Sequence, residues 1–395
     1  MAVTDISELR KKRKARQTKN MLVKVFLVLL AAGASIVAVL THERWYPYVR
    51  DAVTGIPENL SGERDSAVLA EGLFPIMVEG GMGYQLADMD GSLAILDDSR
   101  FHVYSAEGKV MNESQHTFAN PILDVCGSKA LIYDEGGREF RLESKYKTIY
   151  SNTADDVIYL AELSKSDYAA VVTRSDKFLA MLRVYDGEGN QFFTYYSYDS
   201  RIIGITFTEG SSGCIVTTVS AQDGRLMSEM IRFDFNDTEP QWVSEAVPAL
   251  AIDVHYANDG GIVMIGDTMT VCFDENGGVK SRYVYDDPLV YYDHSFDVTA
   301  LLTENTDIRR SELITFTGSD CTSPVVTRAE EDSKKVFADN TSAYILSGSR
   351  IDVYTPEGLH TGEIILEDEY DNFCKSGKYI YLLGYDSINR IDYNS

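Results

Sequence analysis

The chain has 395 residues, 36 Lys and Arg against 61 Asp and Glu, and a formal net charge of −25. Its 44% hydrophobic and 25% charged residues are globular values, which exclude a wholly disordered, collagen-like or low-complexity chain. A surface this acidic repels phosphates, so nucleic acid is a poor partner.

The charge is unevenly placed. Residues 1–24 hold eight Lys or Arg and two acids, a local +6, while the remainder carries 28 basic and 59 acidic residues, or −31. Residues 1–20 read as a basic cytoplasmic tail. Residues 21–40 follow as a 20-residue apolar stretch, interrupted only by Lys24, which sits where it can snorkel. About 20 residues of helix span a hydrocarbon core of roughly 30 Å. Trp45, Tyr46 and Tyr48 follow at once, as in an interfacial aromatic belt. The positive-inside rule then predicts a single-pass signal-anchor in the cell membrane, with the N-terminus cytoplasmic and residues 41–395 outside. A signal peptide cut near Ala32-Gly33-Ala34 is the competing reading, weakened by the six apolar residues beyond it. Residues 41–72, polar and carrying Pro47 and Pro57, read as a stalk.

From residue 73 to 395 one phrase recurs: an apolar alternating run, an aromatic, then a turn rich in Asp, Glu and Gly. The clearest copies are FHVYSAEGKV (101–110), LRVYDGEGNQF (182–192), TVCFDENGGV (270–279) and IDVYTPEGLH (351–360). Anchors at Tyr104, Leu142, Tyr185, Phe233, Phe273, Phe316, Tyr354 and Tyr393 are spaced by 38, 43, 48, 40, 43, 38 and 39 residues. A short β-branched run precedes each phrase, for example KALIYDE (129–135) and GIVMIGD (261–267), and a further run precedes that one. Four antiparallel strands per 40–50 residues is the signature of a propeller blade. The expected fold is therefore all-β, an eight-bladed β-propeller after one transmembrane helix. Seven blades with an insertion, or a sandwich, are the alternatives. The count is one outer strand short, and Leu73–Val78 can supply it to the last blade; Pro75 suits an outermost strand.

The phrase LAILDDSRFHVYSAEGKVM (93–111) resembles quinoprotein-like and WD40-like propellers, and the resemblance extends over 73–395. The whole layout is similar to an uncharacterised single-pass membrane family of Gram-positive, often clostridial, bacteria with an extracytoplasmic domain of unknown function. That resemblance implies a fold and a location, with no catalytic residues to carry over. The Gly-His and Trp-Asp signatures of WD40 repeats are absent. Only Trp45 and Trp242 occur, too few for the docking tryptophans of quinone-dependent dehydrogenases.

Candidate chemistry is sparse. Cys126, Cys214, Cys272, Cys321 and Cys374 are dispersed about one per blade without metal-binding spacing, and read as single strand cysteines. A disulfide between neighbouring blades stays open. His255 and His294 fall on inner runs of adjacent blades five and six, after Asp253 and Asp293; a channel cluster and plain polar lining are both open, the latter simpler. Asp88-Met-Asp90-Gly91 and Asp234-Phe-Asn236-Asp237 look faintly like calcium loops but lack the fixed ligand positions. The tyrosine-rich stretch FFTYYSY (192–198) suits packing between blades or partner contact. No catalytic, cofactor-binding or metal residue is assigned, no cofactor is implied, and the binding residues are left unknown.

The reading is a membrane-held module that binds an envelope protein, peptide or glycan without catalysis. The alternative is an extracytoplasmic hydrolase or lyase with carboxylates and Tyr at the channel. Several acidic, His or Tyr groups with shifted pKa values converging in a deep channel would favour that alternative.

Overall fold

The computed structural model describes residues 73–79, 83–237, 239–330 and 332–393. The basic tail, the apolar stretch at 21–40 and nearly all of the stalk lie outside these residues. Among the described residues no helix is long and apolar enough to cross a membrane. Apart from a single 3-10 turn at Glu209–Ser211, they form strands and connections.

The strands assemble into eight four-stranded antiparallel sheets. Seven are built from four consecutive strands. The eighth draws its outermost strand, Ile76–Met77, from the other end of the sequence, pairing Ile76 with Ile388 and Met77 with Ser387. We number the sheets as blades one to eight in chain order of their inner strands. These are Gln85–Asp88, Pro121–Cys126, Ile158–Leu163, Arg201–Phe207, Ala251–Tyr256, Leu289–His294, Ser333–Ala338 and Asn372–Ser376.

The second and third strands read as unbroken apolar runs because both of their faces are buried, one against each neighbouring blade. In blade three, Ala169 and Val171 join the apolar cluster shared with blade two, while Ala170 and Val172 join the one shared with blade four. Eight such clusters occur, one at each junction between neighbours. The last holds Ile76, Leu93, Ile95, Tyr381 and Ile388, and joins blade eight to blade one. A cluster at every junction, this one included, closes the ring: an eight-bladed propeller.

Turns follow from backbone chemistry. Asp274 Oδ1 accepts the amides of Asn276 and Gly278, and Gly277 between them has φ +80°. A Cβ at Gly277 would sit 2.7 Å from the Trp242 ring, so a side chain is excluded twice over. Asp88 and Asp234 likewise spend a carboxylate oxygen on the backbone of their own turns, at Gly91 and Asn236. That accounts for these residues without calcium.

Inner strands are tied across blade boundaries by single side chains. Gln85 donates to Pro121 O and accepts from Leu123 N. Asp124 accepts from Leu163 N at 2.5 Å, and Asp293 from Ala338 N at 2.7 Å. Thr206 donates to Val254 O, Lys335 to Phe373 O and Ser376 to Asp88. These bonds run from strand to strand around the central channel.

Candidate functional site

Strand alternation decides which inner residues meet. Asp253 and His255, two apart, share a side of blade five's inner strand; Asp293 and His294, adjacent on blade six, point opposite ways. His294 turns to blade five. Its Nε2 lies 3.1 Å from Asp253 Oδ2, and its ring stacks on His255 with centroids 3.7 Å apart and planes 3° from parallel. His255 Nε2 is 3.1 Å from Thr299 Oγ1 on the next strand of blade six. Asp293, which the sequence puts beside His294, turns instead to blade seven.

The environments differ sharply. His255 is only 5% exposed, and its Nδ1 has no hydrogen-bond partner. Burial and the neighbouring His294 hold it down to about 3, so this imidazole is neutral across the physiological range. The side chains of Asp253 and His294 are 26% and 31% exposed. Burial pushes Asp253 up, but its bond to His294 and the two imidazoles outweigh this, and it lies below the ordinary carboxylate range. Burial pulls His294 down, but the bond to Asp253 outweighs it, and it lies above the ordinary imidazole value. The three residues offer one ligand atom each within 4.8 Å of one another.

More carboxyls face the same space. Burial raises Asp124 on blade two despite its bond to Leu163 N. Glu162 on blade three is raised well above the ordinary range by burial first and by the charges of Asp124 and Asp253 next. Asp293, turned away toward blade seven, is also raised by burial.

At one end of the channel the backbone repeats a device. The inner strands of blades three to seven each carry a register shift near their start, around Tyr159, Ile203, Ile252, Val290 and Lys334. A bulge re-aims the extra side chain. All inner strands run in one sense around a ring of repeats, so the five bulges lie at one mouth. Tyr159, Ile252 and Val290 are 36%, 43% and 40% exposed, with Tyr291 beside them at 41%. These exposed residues lie on blades three, five and six and form a crescent interrupted at blade four, where Ile203 packs into the core instead.

The other sequence candidates separate. Cys272 and Cys321 share the apolar cluster between blades five and six; Cys321 Sγ donates to Thr270 O, and the neighbouring Cys272 thiol pulls Cys321 below the ordinary thiol value. All five cysteines are free. Within FFTYYSY, Phe193 and Tyr195 pack on Phe233 of blade four, while Phe192, Tyr196 and Tyr198 are exposed. His102, His116 and His360 lie away from the channel, and His42 is outside the described residues. A hollow of 560 Å³ at the junction of blades eight and one is lined by Tyr84, Asp97, Arg100 and His102. It contains none of the channel groups.

The Asp-x-His spacing in blade five marks two residues on one face, a signal visible in the sequence. Thr299 and the bulges carry no such signal.

Residues 79–392 match the sequence profile of a family of unknown function (DUF5711). No curated protein matches the chain. Among solved structures, BamB from Moraxella catarrhalis is similar with 11% identity and a TM-score of 0.52, over 82% of this chain and 100% of its own. The C-terminal WD40 domain of Sif2 is similar with 10% identity and a TM-score of 0.60, over 84% and 100%. At these identities the likeness is one of fold.

Proposed function

The chain belongs to the DUF5711 family, and we propose that its propeller is a non-catalytic binding module, held outside the cell by one membrane span, that captures an envelope protein, peptide or glycan at the bulged mouth of the channel. The observation that carries this reading is the crescent of Tyr159, Ile252, Val290 and Tyr291. Bulges spend regular pairing to present these side chains, and exposed aromatic and aliphatic anchors on a rigid rim suit partner recognition. The anchoring rests on the apolar stretch at 21–40 behind the basic tail.

The test uses the full-length chain in detergent as bait on an envelope fraction, with Ile252→Asp/Val290→Asp alongside. Specific recovery by the wild type, lost in the double variant with its thermal melt unchanged, supports the reading. Equal recovery by both removes the crescent from it. Protease added to intact cells should shave the propeller; full protection refutes the outside placement.

A second reading is favoured by one observation. Asp124, Glu162, Asp253 and His294 all face the channel with shifted pKa values, as a hydrolase or lyase would require. Turnover in a glycan-substrate screen, abolished by Glu162→Gln, would establish it.

A further inference from the structure

We propose that Asp253, His255 and His294 are the protein ligands of a divalent transition-metal ion of the zinc class, bound on the channel wall between blades five and six with a coordination position open to the channel.

The donor set comes first. Two imidazoles and one carboxylate suit zinc and its neighbours, whereas calcium and magnesium take oxygen ligands. Zinc sites with three protein ligands and an open fourth position use this kind of combination. The three atoms already lie within 4.8 Å of one another. An ion at about 2.1 Å from each needs the donors about 3.4 Å apart, and because the two rings are stacked in parallel planes one imidazole must swing to aim its lone pair at the ion.

The unpaired atom comes second. His255 is buried, and its Nδ1 bonds to nothing. Buried polar atoms are normally satisfied, and each exception asks for a partner. In the tautomer whose Nε2–H donates to Thr299 Oγ1, Nδ1 carries the bare lone pair a metal takes. Metal-bound histidines characteristically give their other nitrogen to such a fixed partner.

The field comes third. Asp253, held ionised by the two imidazoles beside it, supplies one negative charge at the site, which attracts a cation. Because Asp253 and His294 remain partly exposed, water or a donor from a bound partner completes the shell.

The plainer account is that the Asp253–His294 pair is one more tie between blades. It explains the 3.1 Å contact but leaves His255 Nδ1 unpartnered.

The test uses full-length chain in detergent, stripped with chelator, dialysed against dilute zinc chloride and assayed for bound metal by mass spectrometry. One zinc per chain is expected. Asp253→Asn and His294→Gln should each weaken binding by at least about tenfold, and Thr299→Val by about tenfold through the orientation of His255. Bound cobalt should give visible absorption bands that His294→Gln removes. No zinc retained by the wild type, or one equivalent retained by an Asp253→Asn/His294→Gln double variant, overturns the proposal. Both substitutions sit at partly exposed side chains, so a melt matching wild type shows the fold is intact; His255→Ala is used only if it passes that check. The result is independent of whether the crescent binds a partner.

Discussion

The Arg141 guanidinium lies 3.0 Å from the carboxylate of Glu143, whose side chain has no exposed surface. Asn112, Ser114 and Thr148 donate to the same carboxylate, and Arg141 donates to Gln115 O and Ser114 Oγ. This network seals the junction of blades one and two. Glu143→Ala strands a buried cation and should cost about 3–5 kcal/mol, read as a lowered urea midpoint. Replacing both residues, as in Arg141→Met/Glu143→Leu, should cost far less. Equal losses in the two variants would show that packing, and not charge, holds the junction.

The closing strand of blade eight allows a paired comparison. Ile76 is 8% exposed, while its neighbour Met77 is 68% exposed. Ile76→Ala should destabilise by about 2–5 kcal/mol, and Met77→Ala by no more than about 0.5 kcal/mol. Similar values for both would mean that this strand adds backbone pairing alone.

Glu162 gives a pH dependence of unusual sign. Its folded pKa is raised above the unfolded value, so the folded state holds the proton more tightly. The contribution favours folding at low pH and becomes unfavourable as pH rises above about 4.5. Glu162→Gln should therefore raise the melting temperature at pH 8 and leave it unchanged at pH 4. A drop at pH 8 would instead assign Glu162 a stabilising ionised role.

His255 has the opposite sign. Its folded pKa is depressed to about 3, so its contribution to stability is present above the unfolded value of about 6.5 and declines as pH falls from there toward 3. In metal-free protein, His255→Asn should flatten the acid side of the stability profile. An unchanged acid limb would mean the ring is free to titrate in the fold.

Cys272 and Cys321 are the thiol pair that meets across a blade boundary. Diamide, which takes two electrons and two protons from a dithiol, should link them into a disulfide seen as a cross-linked peptide. Cys126, Cys214 and Cys374 should still alkylate after unfolding. Cross-links among those three would contradict the packing.

Much of the ring was legible because two-sided burial writes itself as apolar runs. Runs such as Lys129–Glu135 and Gly261–Asp267 coincide with second strands at Lys129–Asp134 and Ile262–Gly266. The site was legible by half. Asp253 and His255 share a face by spacing alone, but which of Asp293 and His294 joins them depends on phase. The bulge at Val290 adds a residue ahead of both and so resets which way each points. Nothing in the local composition marks that insertion. Thr299 escapes for another reason: it comes from a second strand, where the sequence shows only a core run.

Ile76 and Ile388 pair directly, yet 312 residues separate them. At a synthesis rate of about 5–20 residues per second, the first waits on the order of tens of seconds for the second. Until then the apolar edge of blade one has no blade eight to cover it. The final blade thus acts as a timing device: the ring cannot shut on a partly made chain, and the newborn protein carries a sticky edge whose protection falls to whatever meets it during synthesis.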